Sequence, residues 1–206
     1  MSEREIEIMR IAVGSENNKG IRLLKVNVNK PKASQLIQDI IYKQIRNQEN
    51  IYIVCVGTDR STGDSFAPFV GTYLEKNNIK NVIGTIDNPC HASNLNEKLY
   101  EIPDNAYIIA LDACLGKVES LEDISVIKGQ LEPGKGVNKK LTSFGDLTIT
   151  YNVNISGYME YKVLQNTRLS RVIKGAKVCS NAIIEAVKYI ENQVMNEDVK
   201  LKIVCR

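Results

Sequence analysis

The chain has 206 residues, 43% hydrophobic and 25% charged, with 27 Lys+Arg against 24 Asp+Glu for a net charge of +3. That length suits one domain, 1–206, with a full core, and the composition excludes disorder, collagen and low complexity. So small a basic excess asks for no polyanion, and direct nucleic-acid binding is not expected. Five cysteines, at 55, 90, 114, 179 and 205, form an odd set without paired short spacing, which fits a reduced cytoplasm.

The N-terminal MSEREIEIMRIAVGS alternates in charge and lacks the apolar run of a signal peptide, and no segment has the length of a membrane span. A cytoplasmic protein without membrane contact is expected. From Lys32 to Arg46 the residues Leu36, Ile37, Ile40, Ile41 and Ile45 recur at helical spacing, with Pro31 suited to the helix start. Ile51 to Val56 is a continuous β-branched run, as in a strand buried on both faces. A polar loop, GTDRSTGD, follows, and Ser65 to Asn77 then places Phe66, Phe69, Val70, Tyr73 and Leu74 on one helical face.

The unit repeats, with a strand at Asn81 to Ile86, a short helix at Asn94 to Tyr100 and a strand at Ala106 to Leu111. Such alternation predicts parallel strands joined by right-handed crossovers, hence a three-layer α/β/α sandwich. Ser125 to Leu131 and Asp146 to Asn154 read as a further pair, in antiparallel register at one end of the sheet, flanking the loop EPGKGVNKK at 132–140. Tyr161 to Val194 returns to helical periodicity as one long helix or a helix pair, and Val199 to Cys205 reads as either a last edge strand or a frayed end.

Ligands of open α/β sheets bind where strands end at their carboxyl side. Asp64 falls there after the first buried strand, and Asp112 follows the third; Asp59 and Asp87 occupy similar positions. Asp64 alone reads as a helix N-cap and Asp112 alone as a hydrogen-bonded strand-end carboxylate. Together they suit acid–base work, because two carboxyls at close range push one pKa up and divide into acid and base. The glycines Gly57 and Gly63 lie six apart without a following Lys-Ser/Thr pair, so the loop is not a phosphate cradle of known spacing. His91, the single histidine, adjoins Cys90, and neighbours in a loop seldom face each other as a nucleophile pair. His91 with both aspartates could bind zinc, yet the spacings form no recognisable motif. Arg168, Arg171, Lys174 and Lys177 step by three along a helix, the pattern of a solvated face, with docking of an acidic partner as the second reading.

The strings CVGTDRSTGDSFAPFVG (55–71), GTIDNPCHASNL (84–95), ALDACLG (110–116) and QLEPGKGV (130–137) occur in an order that resembles the YyaC-type sporulation proteins of spore-forming Firmicutes. That family is in turn similar, more distantly, to the spore germination protease, an atypical aspartic-type endopeptidase, and to the hydrogenase maturation endopeptidases. The resemblance implies a phosphorylase/hydrolase-like α/β/α fold. It also implies that Asp64 and Asp112 stand at the positions of the protease's two essential aspartates, and that Gly134 and Gly136 shape the cleft. Hydrogenase peptidases bind a metal with help from a histidine, but His91 does not match that position, so no metal or other cofactor is expected. The reading is a sporulation-associated hydrolase in which Asp64 and Asp112 activate water against a peptide bond. Thr58, Asp59, Ser61, Gly63, Asp87, His91, Gly134 and Gly136 are its expected substrate-binding residues. Protein or peptide substrates follow, small acid-soluble spore proteins among them, and a homo-oligomer is compatible. The alternative is a non-catalytic peptide- or protein-binding regulatory module on the same fold.

Overall fold

The computed structural model describes residues 20–133 and 142–204, with the side chains of 194–204 excluded. Gly134 and Gly136 lie outside the described residues. Six strands form one mixed sheet in the order β1-β5-β6-β4-β2-β3. They are β1 (Ile21–Asn27), β2 (Ile51–Cys55), β3 (Val82–Ile83), β4 (Tyr107–Gly116), β5 (Asp123–Lys128) and β6 (Leu147–Ile155). The helices are α1 (Ala33–Ile45), α2 (Phe66–Lys76), α3 (Leu95–Tyr100), α4 (Glu160–Gln165) and α5 (Leu169–Val204).

Strands β3, β2, β4 and β6 run parallel, and β5 and β1 continue the sheet in antiparallel register. One sheet face carries the alternate residues Ile53, Cys55, Ile109, Leu111, Ile149 and Tyr151, all buried with the apolar stripes of α1, α2 and α5. Helix α1 contributes Ile37, Ile41 and Ile45, each inaccessible to solvent. Full burial of one such side chain stabilises by about 1.5–3 kcal/mol, so this face holds most of the core. Helix α5 approaches closely because Gly175 leaves room for a ring: a Cβ there would stand 2.3 Å from Tyr151 Cε1. The Tyr151 hydroxyl donates to the Arg171 carbonyl at 3.1 Å, and its ring packs on Phe66 with centroids 4.9 Å apart.

The opposite face is covered unequally. Val54, Val56 and Ala110 pack with Cys90 and Leu95 from the α3 region and with Leu131 and Phe144. Beyond that cluster the outward residues of β6 are polar: Thr148, Thr150, Asn152 and Asn154 alternate with buried Ile149, Tyr151 and Val153. The sheet is therefore flanked by helices on both sides, with a cleft where the second layer thins.

The structure bears out some of these expectations and corrects others. Strand β1 is an element that the sequence reading does not include; its signal is the period-two burial of Leu24, Val26 and Val28. Strand β3 is only two residues long. The antiparallel pair is β5 with β6, but β6 also pairs in parallel with β4, and β1 forms that edge. The C-terminal segment is a helix pair, and its tail continues α5 to Val204 instead of forming a strand.

Candidate active site

Chain direction creates the site. From β2 the chain passes through α2 on one face to β3, then returns through α3 on the other face to β4. The crevice between the carboxyl ends of β2 and β4 is where connections leave in opposite directions, the place where open α/β sheets bind ligands. Strand β2 stops at Cys55 opposite Leu111, whereas β4 runs on to Gly116 beside β6. Asp112 is thus inside a strand, paired with Thr150, not just after one as its position in the sequence suggested. It is the first residue of β4 that β2 no longer flanks.

The loop carrying Asp64 is closed by backbone. The Gly57 N–H donates to the Cys90 carbonyl at 2.8 Å, and the Thr58 N–H donates to the Asp64 carbonyl at 3.2 Å. Gly57 adopts φ +154°, and a Cβ there would lie 2.0 Å from the Asp64 carbonyl oxygen, so only glycine permits this closure. Gly63 serves the same loop from outside, since a Cβ there would meet Leu164 of α4 at 2.8 Å. A 3-10 turn, Gly63–Ser65, then leads directly into α2, and neither it nor α2 receives a side-chain cap. The N-cap role open to Asp64 in the sequence is therefore not the one it plays.

Asp64 and Asp112 line one cavity of about 660 Å³. Thr148 and Thr150 of β6 and Ile127 of β5 contribute to its lining, as do Tyr161, Leu164 and Gln165 of α4. Both aspartates keep some surface open to it while protein surrounds them. Burial pushes the Asp112 carboxyl up to about 8, the Asp64 charge adds to the rise, and a hydrogen bond from the Ala113 backbone opposes it. Burial also raises Asp64, against an opposing pull from the Ser61 hydroxyl. Burial and the Asp64 charge thus both favour the protonated form of Asp112.

Of the expected substrate-binding residues, Thr58, Ser61 and His91 line the cavity. Asp59 and Asp87 are exposed and do not, and Gly63 packs against α4. The His91 Nδ1 accepts from the Ser93 N–H at 3.3 Å, while the His91 N–H donates to Asn94 Oδ1 at 2.8 Å. Although His91 and both aspartates border the same space, among the described residues no three His, Cys, Asp or Glu side chains converge as metal ligands.

Cys114 also reaches the cavity, but its thiol donates to Asn152 Oδ1 at 3.0 Å and burial pushes it up to about 12. It is a neutral thiol, not a nucleophile. The lining residues missed in the sequence, Thr148 and Thr150, had a visible signal: polar residues alternating within TITYNVNI mark a sheet face that no apolar layer covers. Among the described residues no helix is long and apolar enough to cross a membrane.

The chain is similar to known proteins. "Uncharacterized protein YyaC" of Bacillus subtilis (strain 168) is 43% identical over 158 residues, covering 73% of this chain and 77% of that protein. The similarity agrees with the resemblance carried by the four motifs and says nothing of sporulation or proteolysis. Among solved structures, the NiFe hydrogenase maturation protease HycI from Thermococcus kodakarensis KOD1 covers 72% of this chain and 99% of its own. Its TM-score is 0.48 at 16% identity, a likeness too remote to transfer any residue's role. The family described as "Protein of unknown function (DUF1256)" matches residues 25–182, a span that includes both aspartates, and the chain belongs to that family.

Proposed function

We propose that the chain is a peptide-bond hydrolase whose Asp64 and Asp112 work as an acid–base pair. The observation that supports this is the pairing itself. A carboxyl from the loop after β2 and one from within β4 line one cavity, and neither caps a helix nor forms a salt bridge among the described residues. Burying carboxyls without a compensating cation costs stability, and such cost concentrates where pKa tuning serves chemistry.

Asp112, whose carboxyl burial pushes up to about 8, is assigned the proton, and Asp64 the role of base. As a water oxygen bonds to the carbonyl carbon, its proton passes to Asp64 while Asp112 gives its proton to the carbonyl oxygen. When the C–N bond breaks, Asp64 passes its proton to the departing nitrogen and Asp112 recovers one from the diol. Both carboxyls return to their starting states. An extended segment of polypeptide suits a cleft floored by a sheet and walled by α4, and the motif resemblance makes small acid-soluble spore proteins the candidate substrates in a sporulating cytoplasm.

The test is incubation of the purified chain with a small acid-soluble spore protein and with unfolded casein, followed by mass spectrometry of the products. Defined cleavage is expected, and Asp64→Asn or Asp112→Asn should each lower it by at least 10²-fold with the fold intact. Undiminished cleavage by either variant contradicts the pair.

A further inference from the structure

Among the described residues six polar side chains are buried: Ser61, Ser65, Thr85, Thr148, Thr167 and Ser180. Five of them have hydrogen-bond partners. Ser65, Thr148, Thr167 and Ser180 donate to the carbonyls of Thr62, Gly129, Val163 and Lys177 respectively, and the Thr85 hydroxyl accepts from the Asn88 N–H. The exception is Ser61, only 6% exposed, whose Oγ lies near enough to Asp64 to pull on its carboxyl but has no partner at full hydrogen-bond geometry among the described residues. A buried hydroxyl without a partner calls for water or a ligand group to complete it.

The place of this hydroxyl narrows the choice. Ser61 lines the cavity three residues before Asp64, in the loop that the Thr58-to-Asp64 backbone bond closes. We infer that the Ser61 hydroxyl and the Asp64 carboxyl together hold the attacking water, a role that rests on the peptidase reading of the same cavity. A hydroxyl has one proton and two lone pairs. With its proton directed toward Asp64, Ser61 accepts one hydrogen of the water, and Asp64 accepts the other. The water's lone pair is then turned to the substrate carbonyl. Ser61 forms no covalent bond and keeps its proton throughout; the proton lost by the water goes to Asp64 as the new C–O bond forms. The gain is orientation, which acts on the chemical step more than on binding.

The experiment combines a crystal structure of the full chain at atomic resolution with kinetics on casein or the spore protein. The wild type is expected to show an ordered water within hydrogen-bond reach of both Ser61 Oγ and an Asp64 oxygen. Ser61→Ala should lose that water and lower kcat about 10- to 100-fold with KM within twofold. Ser61→Thr, which keeps the hydroxyl, should retain both the water and most of kcat, separating loss of the hydroxyl from damage to the loop. A Ser61 hydroxyl bonded to a protein acceptor other than Asp64, a folded Ser61→Ala with full kcat, or a raised KM at unchanged kcat would each overturn the role. If the wild type cleaves neither protein, the hydrolase reading fails, and the presence or absence of the shared water alone decides the site.

Discussion

Replacing Asp112 with Asn should make the protein more stable near neutral pH while removing its activity. The Asp112 carboxyl is held at about 8 against an ordinary value of 3.8. Between those two values the folded chain keeps a proton that the unfolded chain has released. Stability therefore falls as pH rises through that window, and the contribution is fully lost above pH 8. At about 1.4 kcal/mol per pH unit, the cost at pH 7 is bounded near 4 kcal/mol, and water entering by the cavity reduces it to on the order of 2 kcal/mol. Asn is close in shape, stays neutral, and can still accept the Ala113 N–H. Urea unfolding of both proteins from pH 4 to pH 9 measures the difference. The variant should match the wild type at pH 4 and exceed it by on the order of 2 kcal/mol at pH 7, or roughly 4–8 °C in Tm. Parallel curves over the whole range, or a variant less stable than the wild type at pH 8, would refute the desolvation argument.

Two further substitutions test the neighbouring geometry. Gly57→Ala places a Cβ 2.0 Å from the Asp64 carbonyl oxygen at φ +154°, so it should cost about 2 kcal/mol or more in thermal or urea unfolding and displace Asp64 enough to end cleavage. Cys114→Ala should retain wild-type turnover within a few-fold, and iodoacetamide at pH 7 should not inactivate the wild type, because its thiol is neutral there; rapid inactivation traced to Cys114 would show the opposite.

The alternation of apolar runs and helical stripes made the sheet and its main helices legible, since IYIVCV and AYIIAL bury both faces and have few other ways to pack. Strand β1 was not, because Arg22, Lys25 and Asn27 interrupt an edge strand that buries one side only. The position of Asp112 in the sequence suggested a strand end because a carboxylate broke the apolar run. Backbone pairing with β6 carries β4 on to Gly116 regardless of that side chain.

The two aspartates were legible as a pair for a related reason: both follow buried runs, and parallel strands send their carboxyl ends to one edge. What a strand end does not reveal is the direction of the loop beyond it. Asp59 and Asp87 share that position in the chain, yet both turn to solvent, whereas the Gly57 and Gly63 contacts fix the Asp64 loop against the cavity. An aspartate before a helix has the same sequence pattern whether it caps or not. Only the absence of a cap bond distinguishes the two here.

The proposed acid–base pair requires that Asp64 and Asp112 hold one proton between them near neutral pH. Titration of the aspartate carboxyl carbons by 13C NMR, assigned with Asp64→Asn and Asp112→Asn, tests it without need of a substrate. One carboxyl of the pair should titrate near pH 8 in the wild type, with the second raised but lower, and removal of Asp64 should bring Asp112 down. Two independent titrations in the ordinary range near pH 4, each unmoved by loss of the other residue, would contradict the account.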